Sequence, residues 1–458
     1  MTKQPSDIEN FLSRIDRDLV RSDDVSTTLY SYDATNEFYF PSAVVRPRSP
    51  EDIRSIVLAA NETKTAVIPR GAGTGFSGGS LPASGGVVID LLSMNRILDI
   101  DEASMCVRVQ PGLITLALQE TVEQKGLFYP PDPASLKTCT LGGNVAENAG
   151  GPRCLKYGVT RDYVMEIKGF TGDGKPFTFG KPVIKNRAGY DLKNLAVGSE
   201  GTLGVFHEFL LRLVPKPETK MLFTAFFNDF NTATEMVNLL LHKGISPSCV
   251  EFMDEFAIRA VEAHSKFGLP LNYQALLLIE IDGRHDEMPS LRRKTEECLS
   301  VSAQEIRVAI ERQEQDVLWE IRRKTSPALR AFGNKKANED IAVPRKSIPA
   351  AIRGLRQIAE KHSLNLINFG HIGDGNIHVN IMYDGNNPRD EERVEAAIGK
   401  IFELVNGFDG AISGEHGIGI TKRRFLPRNI DPVSYELMRS VKRIFDPNQI
   451  LNPEKMLY

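Results

Sequence analysis

The chain has 458 residues, of which 41% are hydrophobic and 25% charged, with a net charge of −3. That length exceeds a single compact core, so two or more domains are expected. The near-neutral balance offers no electrostatic footprint for nucleic acid or for an anionic membrane.

No apolar run is long enough to span a bilayer. Met1–Arg14 has no apolar core of the secretory type, so a cytoplasmic protein is expected, peripheral to the inner face of the membrane only through a partner. The scattered cysteines Cys106, Cys139, Cys154, Cys249 and Cys298 suit reduced thiols, and no C-x-x-C supports a four-cysteine zinc site or an iron–sulfur cluster.

Ser6 followed by Glu9 predicts a capped helix over residues 6–21. Strand-like runs follow at Ala43–Arg46, Ala66–Pro69, Val87–Leu91, Cys106–Val109, Glu166–Phe170 and Leu210–Val214, between Gly and Pro turns. Helical patterns at Pro50–Asn61 and Leu113–Lys125 lie among them. Pro215-Lys216-Pro217 marks a domain boundary. Beyond it, amphipathic segments (Thr232–Lys243, Asp286–Ser300, Glu311–Arg323, Pro349–His362, Pro388–Asn406) alternate with strands such as Leu276–Ile281 and Leu366–Phe369. The pattern is α+β, with an antiparallel sheet covered by helices in the second part. The expected division is 1–215, 216–420 and a C-terminal segment 421–458 that returns to the first domain, since Phe445–Pro453 is apolar and turn-rich.

Three glycine-rich stretches carry the first chemical signal. Pro69-Arg70-Gly71-Ala72-Gly73-Thr74-Gly75-Phe76-Ser77-Gly78-Gly79-Ser80 formally contains G-x-G-x-x-G. A Rossmann fingerprint must open a helix; here Pro82 and Gly85-Gly86 lead into a strand instead. A strand–loop–strand of this kind aims backbone N–H groups into one concavity that suits a pyrophosphate, with Arg70, Ser77 and Ser80 as further donors. The second stretch runs through Pro131, Asp132 and Ser135 to Gly142-Gly143-Asn144-Val145-Ala146-Glu147-Asn148-Ala149-Gly150-Gly151, and the third is Gly198-Ser199-Glu200-Gly201-Thr202-Leu203-Gly204-Val205. Loops so poor in side chains allow close approach to something large and flat, such as an isoalloxazine with its diphosphate.

The sharpest feature is Asn368-Phe369-Gly370-His371-Ile372-Gly373-Asp374-Gly375-Asn376-Ile377-His378-Val379-Asn380. Asp374-Gly375 is a type I′ turn signal. A two-residue hairpin centred there sets His371 opposite His378, a spacing that suits chelation of one divalent metal. Asn380 shares their face. Ser413-Gly414-Glu415-His416-Gly417-Ile418-Gly419 adds Glu415 as a third metal ligand and His416 as a base near neutral pKa. Two histidines and a carboxylate leave positions open for substrate oxygens. A metal-dependent hydrolase using these groups alone is the alternative from another class, although it leaves the glycine loops without a purpose.

Together R-G-A-G-T-G, G-G-N-V-A-E-N-A-G-G, G-S-E-G-T-L-G-V, G-H-I-G-D-G-N-I-H, S-G-E-H-G-I-G and the terminal L-N-P resemble FAD-linked D-2-hydroxy acid dehydrogenases, in the D-lactate dehydrogenase and glycolate oxidase flavin subunit branch, over about residues 40 to 455. The resemblance implies a vanillyl-alcohol oxidase type FAD domain plus a substrate (cap) domain. It implies that loop 70–80 holds the pyrophosphate, and that 131–158 (including Tyr157 and Gly158), 200–205 and Asn452 line the rest of FAD. The first loop has no histidine, so the flavin is expected to be non-covalent. By the same resemblance, His371, His378 and Glu415 hold the metal (zinc first, manganese or iron(II) as alternatives), and His416 is the catalytic base. Arg322, in Trp319-Glu320-Ile321-Arg322, clamps the substrate carboxylate, with Arg345 a weaker candidate. Members acting on D-2-hydroxyglutarate carry a lysine near the point where Asn338 falls here, with Lys335 and Lys336 close by, and the asparagine favours D-lactate or glycolate over that dicarboxylate. Electrons would leave to an external acceptor: electron-transferring flavoprotein, an iron–sulfur subunit or quinone. A homodimer or a hetero-complex is compatible with this.

Overall fold

The computed structural model describes residues 5–457. The chain divides into two compact units. The first comprises Met1–Gly150, Val159–Lys216 and Glu415–Tyr458, and the second Gly151–Gly158 and Pro217–Gly414. The crossing at Lys216 falls on the Pro-Lys-Pro punctuation. Two edges differ from expectation: the second unit ends at Gly414 rather than 420, and it includes 151–158. The second difference has a clear cause. Arg153 donates to Glu280 at 3.1 Å, and Lys156 and Tyr157 reach Asp282 at 2.5 and 2.6 Å. Those acids lie on a strand of the second unit.

In the first unit, Ala43–Val45 and Val67–Arg70 run parallel to Val87–Asp90, and Val20–Arg21 adds an antiparallel edge. Helix Pro50–Thr63 starts at a capping box of Ser49 and Asp52 and stops at left-handed Lys64. It buries Ile53, Ile56 and Val57 with Val45, Val67 and Ile89. A second, antiparallel sheet runs in the order Ile97–Asp101, Cys106–Val109, Val205–Arg212, Val164–Phe170, Pro176–Gly180. The tail enters the first core: Val67 N–H donates to Ile450, Asn452 N–H donates to Val67, and Ile450 and Leu451 are buried.

The expected N-terminal helix is shorter, Pro5–Leu12, so Ser6 lies inside it rather than at its cap. Ser13 Oγ bonds back to Asn10 O, and Asp16 caps a separate turn at Arg17–Leu19. These local side-chain bonds compete with continued helix. Phe11, Ile15 and Leu19 still reach the core.

The second unit is built on seven antiparallel strands in the order Glu305–Ala309, Thr219–Phe227, Ala275–Gly283, Cys249–Asp254, Asn365–Gly370, Asn376–Tyr383, Lys335–Ala342. Helices Glu255–Ser265 and Arg312–Ala328 pack together on Phe226, Met253, Leu276, Ile367 and Phe369. Helices Phe230–His242, Ile348–His362 and Pro388–Asn406 form another packed group. Register fixes what shares a face: Met253 lies opposite Phe369, Phe369 opposite His378, His378 opposite Asp340, and Asn380 opposite Asn338. Glu251, two residues from Met253, projects to that same side.

Candidate functional site

A cleft in the first unit is lined by Pro69–Phe76, Gly79 and Ser80, by Gly142–Asn144, Ala146, Glu147 and Gly150, by Glu200, Gly201 and Gly204, and by Glu415 and His416. Mouth included, it encloses about 1280 Å³. Among the described residues, none of the backbone N–H groups from Gly71 to Phe76 donates to a protein acceptor. An unused row of donors is what an anionic diphosphate needs. Close packing explains the glycines. A Cβ on Gly71 would lie 2.2 Å from Thr140 Oγ1, and Gly73 sits at φ +67. The second stretch forms a short helix, Leu141–Glu147, rather than a loop.

Of the sequence candidates, Arg70, Gly71, Ala72, Gly73, Thr74, Gly75, Gly79, Ser135, Gly142, Gly143, Asn144, Gly150, Glu200, Gly201 and Gly204 line the cleft. Arg70 turns its guanidinium inward, with Nη2 donating to Tyr32 O at 2.7 Å. Ser77, Gly78, Pro131, Asp132, Asn148, Gly151, Gly158 and Val205 are not on its wall, and Tyr157 is taken by Asp282. Asn452 acts as a staple: its Nδ2 donates to Gly79 O at 2.8 Å and to Glu200 O at 2.7 Å, tying two cleft loops together.

Glu147 was not singled out by the sequence. Burial pushes its carboxyl well above the usual range, and the charge of Glu200 adds to the shift, which favours a protonated group beside Ser77. Glu200 is also raised by burial, but it accepts N–H bonds from Ile418 at 2.8 Å and Gly419 at 2.6 Å, which work the other way. It thereby holds the segment just after His416. The ring of His416 lies 5.0 Å from that of Phe76.

In the second unit His371 and His378 come together, though not through a two-residue hairpin. Register pairs Phe369 with His378, and the connection is a longer double turn in which Asn376 N–H and Asp374 N–H both reach His371 O. Gly375 has φ +91, but Asp374 is not left-handed, as a type I′ turn would require. The register is displaced by an even number of residues, so the side chains keep their face. The two Nε2 atoms lie 3.3 Å apart. Tetrahedral coordination with bonds of roughly 2.0–2.1 Å gives a ligand–ligand edge of about 3.3 Å, so the pair fits one shared ion.

Each histidine has a buried acid behind it. Glu251 Oε1 engages His371 Nδ1, and Glu251 Oε2 accepts from Arg322 Nε at 2.5 Å. Burial alone would raise Glu251, but His371 and Arg322 outweigh it and hold the carboxyl below its ordinary value. Asp340 Oδ1 lies 3.8 Å from His378 Nδ1. Asp340 Oδ2 also accepts from Ser413 Oγ at 3.0 Å and Gly414 N–H at 2.9 Å. Glu415 is the next residue in the chain, so its Cα lies about 3.8 Å beyond that anchored glycine. Asn380 Nδ2 donates to Ile367 O and His378 O, while its buried Oδ1 has no partner among the described residues. Arg345 is exposed on a turn, and among the described residues no hydrogen bond or ion pair joins it to the histidines.

Residues 216–456 match the model of FAD linked oxidases, C-terminal domain, and residues 41–180 match an FAD binding domain. The chain belongs to the FAD-linked oxidases. Among relatives of this FAD-linked oxidase, the glycolate oxidase subunit GlcD of Bacillus subtilis is 41% identical over 93% of the chain and 92% of its own length. D-2-hydroxyglutarate dehydrogenase of Stutzerimonas stutzeri is 34% identical over 99% of each. D-lactate dehydrogenase of Anaerostipes hadrus is 34% identical over 91% of this chain and 90% of its own. Among solved structures, p-cresol methylhydroxylase with substrate bound matches with a TM-score of 0.81 and 16% identity, over 98% of this chain and 96% of that one. The 4-ethylphenol oxidase of Gulosibacter chungangensis matches with a TM-score of 0.74 and 18% identity, over 99% and 96%. The fold is thus of the vanillyl-alcohol oxidase type, and this FAD-linked oxidase is an oxidoreductase.

Glu251, Asp340 and Glu280 also escaped the sequence reading. Glu251 and Glu280 interrupt apolar strands, as in C-V-E-F-M-D and A-L-L-L-I-E-I-D, whereas Asp340 lies in the polar run K-K-A-N-E-D-I-A, where nothing marks it. A lone carboxylate at a buried strand position needs a partner, and that was the available signal for the two glutamates.

Proposed function

We propose that this FAD-linked oxidase converts a small D-2-hydroxy acid, D-lactate or glycolate, to the 2-keto acid and passes the electrons to an external acceptor. The observation that carries the proposal is the pair of Nε2 atoms 3.3 Å apart, with Arg322 held to the same carboxylate as His371. The relatives named glycolate oxidase subunit and D-lactate dehydrogenase support the substrate class.

His371, His378 and Glu415 would hold a divalent metal, zinc first, with manganese or iron(II) as alternatives. When bound there, such an ion supplies Lewis acidity that lowers the pKa of the substrate hydroxyl. FAD, held non-covalently by loop 70–80 and the rest of the cleft, supplies a hydride acceptor. Arg322 grips the substrate carboxylate through its fork, and Asn380 offers an acceptor on the same face. His416 takes the hydroxyl proton as the α-carbon gives up hydride. Two relatives are named as subunits, which supports a hetero-complex and an acceptor on another chain: electron-transferring flavoprotein, an iron–sulfur subunit or quinone. Such a partner would keep a cytoplasmic protein at the inner face of the membrane.

The test is anaerobic mixing with D-lactate, L-lactate, glycolate and D-2-hydroxyglutarate while flavin absorbance is followed. Bleaching by D-lactate or glycolate is expected. Bleaching by L-lactate alone, or by D-2-hydroxyglutarate alone, would overturn the substrate assignment. A colourless protein that FAD cannot reconstitute would overturn the enzyme class.

A further inference from the structure

Every residue of strand Cys249–Asp254 is buried, and one of them is a glutamate 1% exposed. Glu251 divides its two oxygens between groups from different elements. Oε1 meets Nδ1 of His371, at the turn after strand Asn365–Gly370, and Oε2 accepts from Nε of Arg322 on helix Arg312–Ala328. We infer that Glu251 is a positioning residue that sets the metal ligand and the substrate arginine together, an inference that rests on the roles proposed above for His371 and Arg322.

The chemistry of each end follows from hydrogen-bond inventory. With Nδ1–H given to a carboxylate, the neutral imidazole of His371 keeps its lone pair on Nε2, the atom that faces His378 Nε2. A ligating histidine is oriented in this way by an acid on its far nitrogen, and such acids tune metal affinity. At the other end, Nε is the inner donor of the guanidinium. Tied there, and with Cζ 4.7 Å from the ring centroid of Phe369, Arg322 has its plane fixed and its outer fork left for a carboxylate. Phe369 is the residue paired with His378 across the strands, so the arginine rests on the strand pair that carries the histidine. One buried carboxylate thus registers both halves of the substrate site. A glutamine could accept from only one of the two donors.

The test is Glu251→Gln in the FAD-loaded protein with three readouts. The first is the imidazole tautomer of His371 in the metal-stripped state, from nitrogen-15 histidine spectra assigned with His371→Ala. The second is zinc affinity by chelator competition. The third is the split between KM and kcat. The wild type is expected to show the Nδ1–H tautomer and the variant a mixture. Zinc should bind roughly 10- to 100-fold more weakly, and KM for the hydroxy acid should rise, with flavin content unchanged. Glu251→Asp keeps the charge but withdraws it by one methylene; it serves if the glutamine variant does not fold, and should weaken zinc binding and raise KM in the same direction. A folded variant with wild-type tautomer, zinc affinity and KM would overturn the inference. Wild-type protein that takes up no zinc, manganese or iron(II) would instead sink the metal reading of the proposed function, and the tautomer comparison would still decide whether Glu251 orients His371.

Discussion

Replacing Glu280 by glutamine should destabilise the second unit by about 3 kcal/mol at neutral pH, and the loss should vanish in acid. Glu280 is 1% exposed, accepts from Arg153 at 3.1 Å and Lys220 at 2.8 Å, and also binds Ser248 Oγ and Trp319 Nε1. Burial works against its ionisation, but Arg153 and Lys220 overcome that and bring the carboxyl from 4.5 to about 2. A fall of that size corresponds to about 3 kcal/mol. The folded value lies below the unfolded one, so the stabilisation is present above pH 4.5 and is lost as pH falls toward 2. Trp319 is the only tryptophan in the chain, and it donates to this carboxylate. Urea unfolding followed by its fluorescence therefore reports on the cluster directly. Wild type and Glu280→Gln compared at about pH 7 and about pH 3 should differ strongly at the first and much less at the second. Equal stabilities near neutrality, or a gap that ignores pH, would refute the reasoning. Release of the 151–158 segment should accompany the change, seen as faster tryptic cleavage at Arg153 or Lys156.

Three further outcomes are expected. His378→Ala should weaken zinc binding by at least about 100-fold while FAD absorbance stays at the wild-type level, read by metal analysis and the visible spectrum. Gly71→Val places a Cβ 2.2 Å from Thr140 Oγ1; overpacking of about 1–3 kcal/mol should lower FAD affinity about tenfold or more, measured by titrating apoprotein with FAD. Asp254 is pushed by burial to about 7 although Ala257 and Asn368 donate to it. The folded protein therefore binds more protons than the unfolded one between pH 3.8 and about 7, and stability falls as pH rises through that window. Asp254→Asn should lack that slope in urea midpoints, whatever its overall offset.

Much of this was legible along the chain because the signals are local. The Gly71–Phe76 loop announces itself by the side chains it omits, and the even spacing of His371 and Phe369 about the turn kept both histidines on one face even though the hairpin is longer than Asp374-Gly375 suggested. The Pro215-Lys216-Pro217 break is likewise local. What stayed hidden depends on partners far away in sequence. Glu251 and His371 are 120 residues apart, and Arg153 and Glu280 are 127 apart. No local pattern says which cation will reach a buried acid. Tyr157 and Gly158 were assigned to the cofactor by position in a motif, yet Tyr157 OH is spent on Asp282. The N-terminal helix stops short of its expected end for the opposite reason: beyond Leu12 the side chains of Ser13 and Asp16 offer the backbone competing local bonds.

The short run Gly151–Gly158 belongs with the later part of the chain, and this constrains any attempt to graft specificity between relatives. A chimera that exchanged only Pro217–Gly414 would import a foreign sheet while keeping the host's Arg153 and Lys156. The newcomers at positions 280 and 282, both buried, would then meet cations chosen for a different pair of acids. Swaps that carry both stretches together should yield soluble, flavin-loaded hybrids, and swaps that split them should give inclusion bodies.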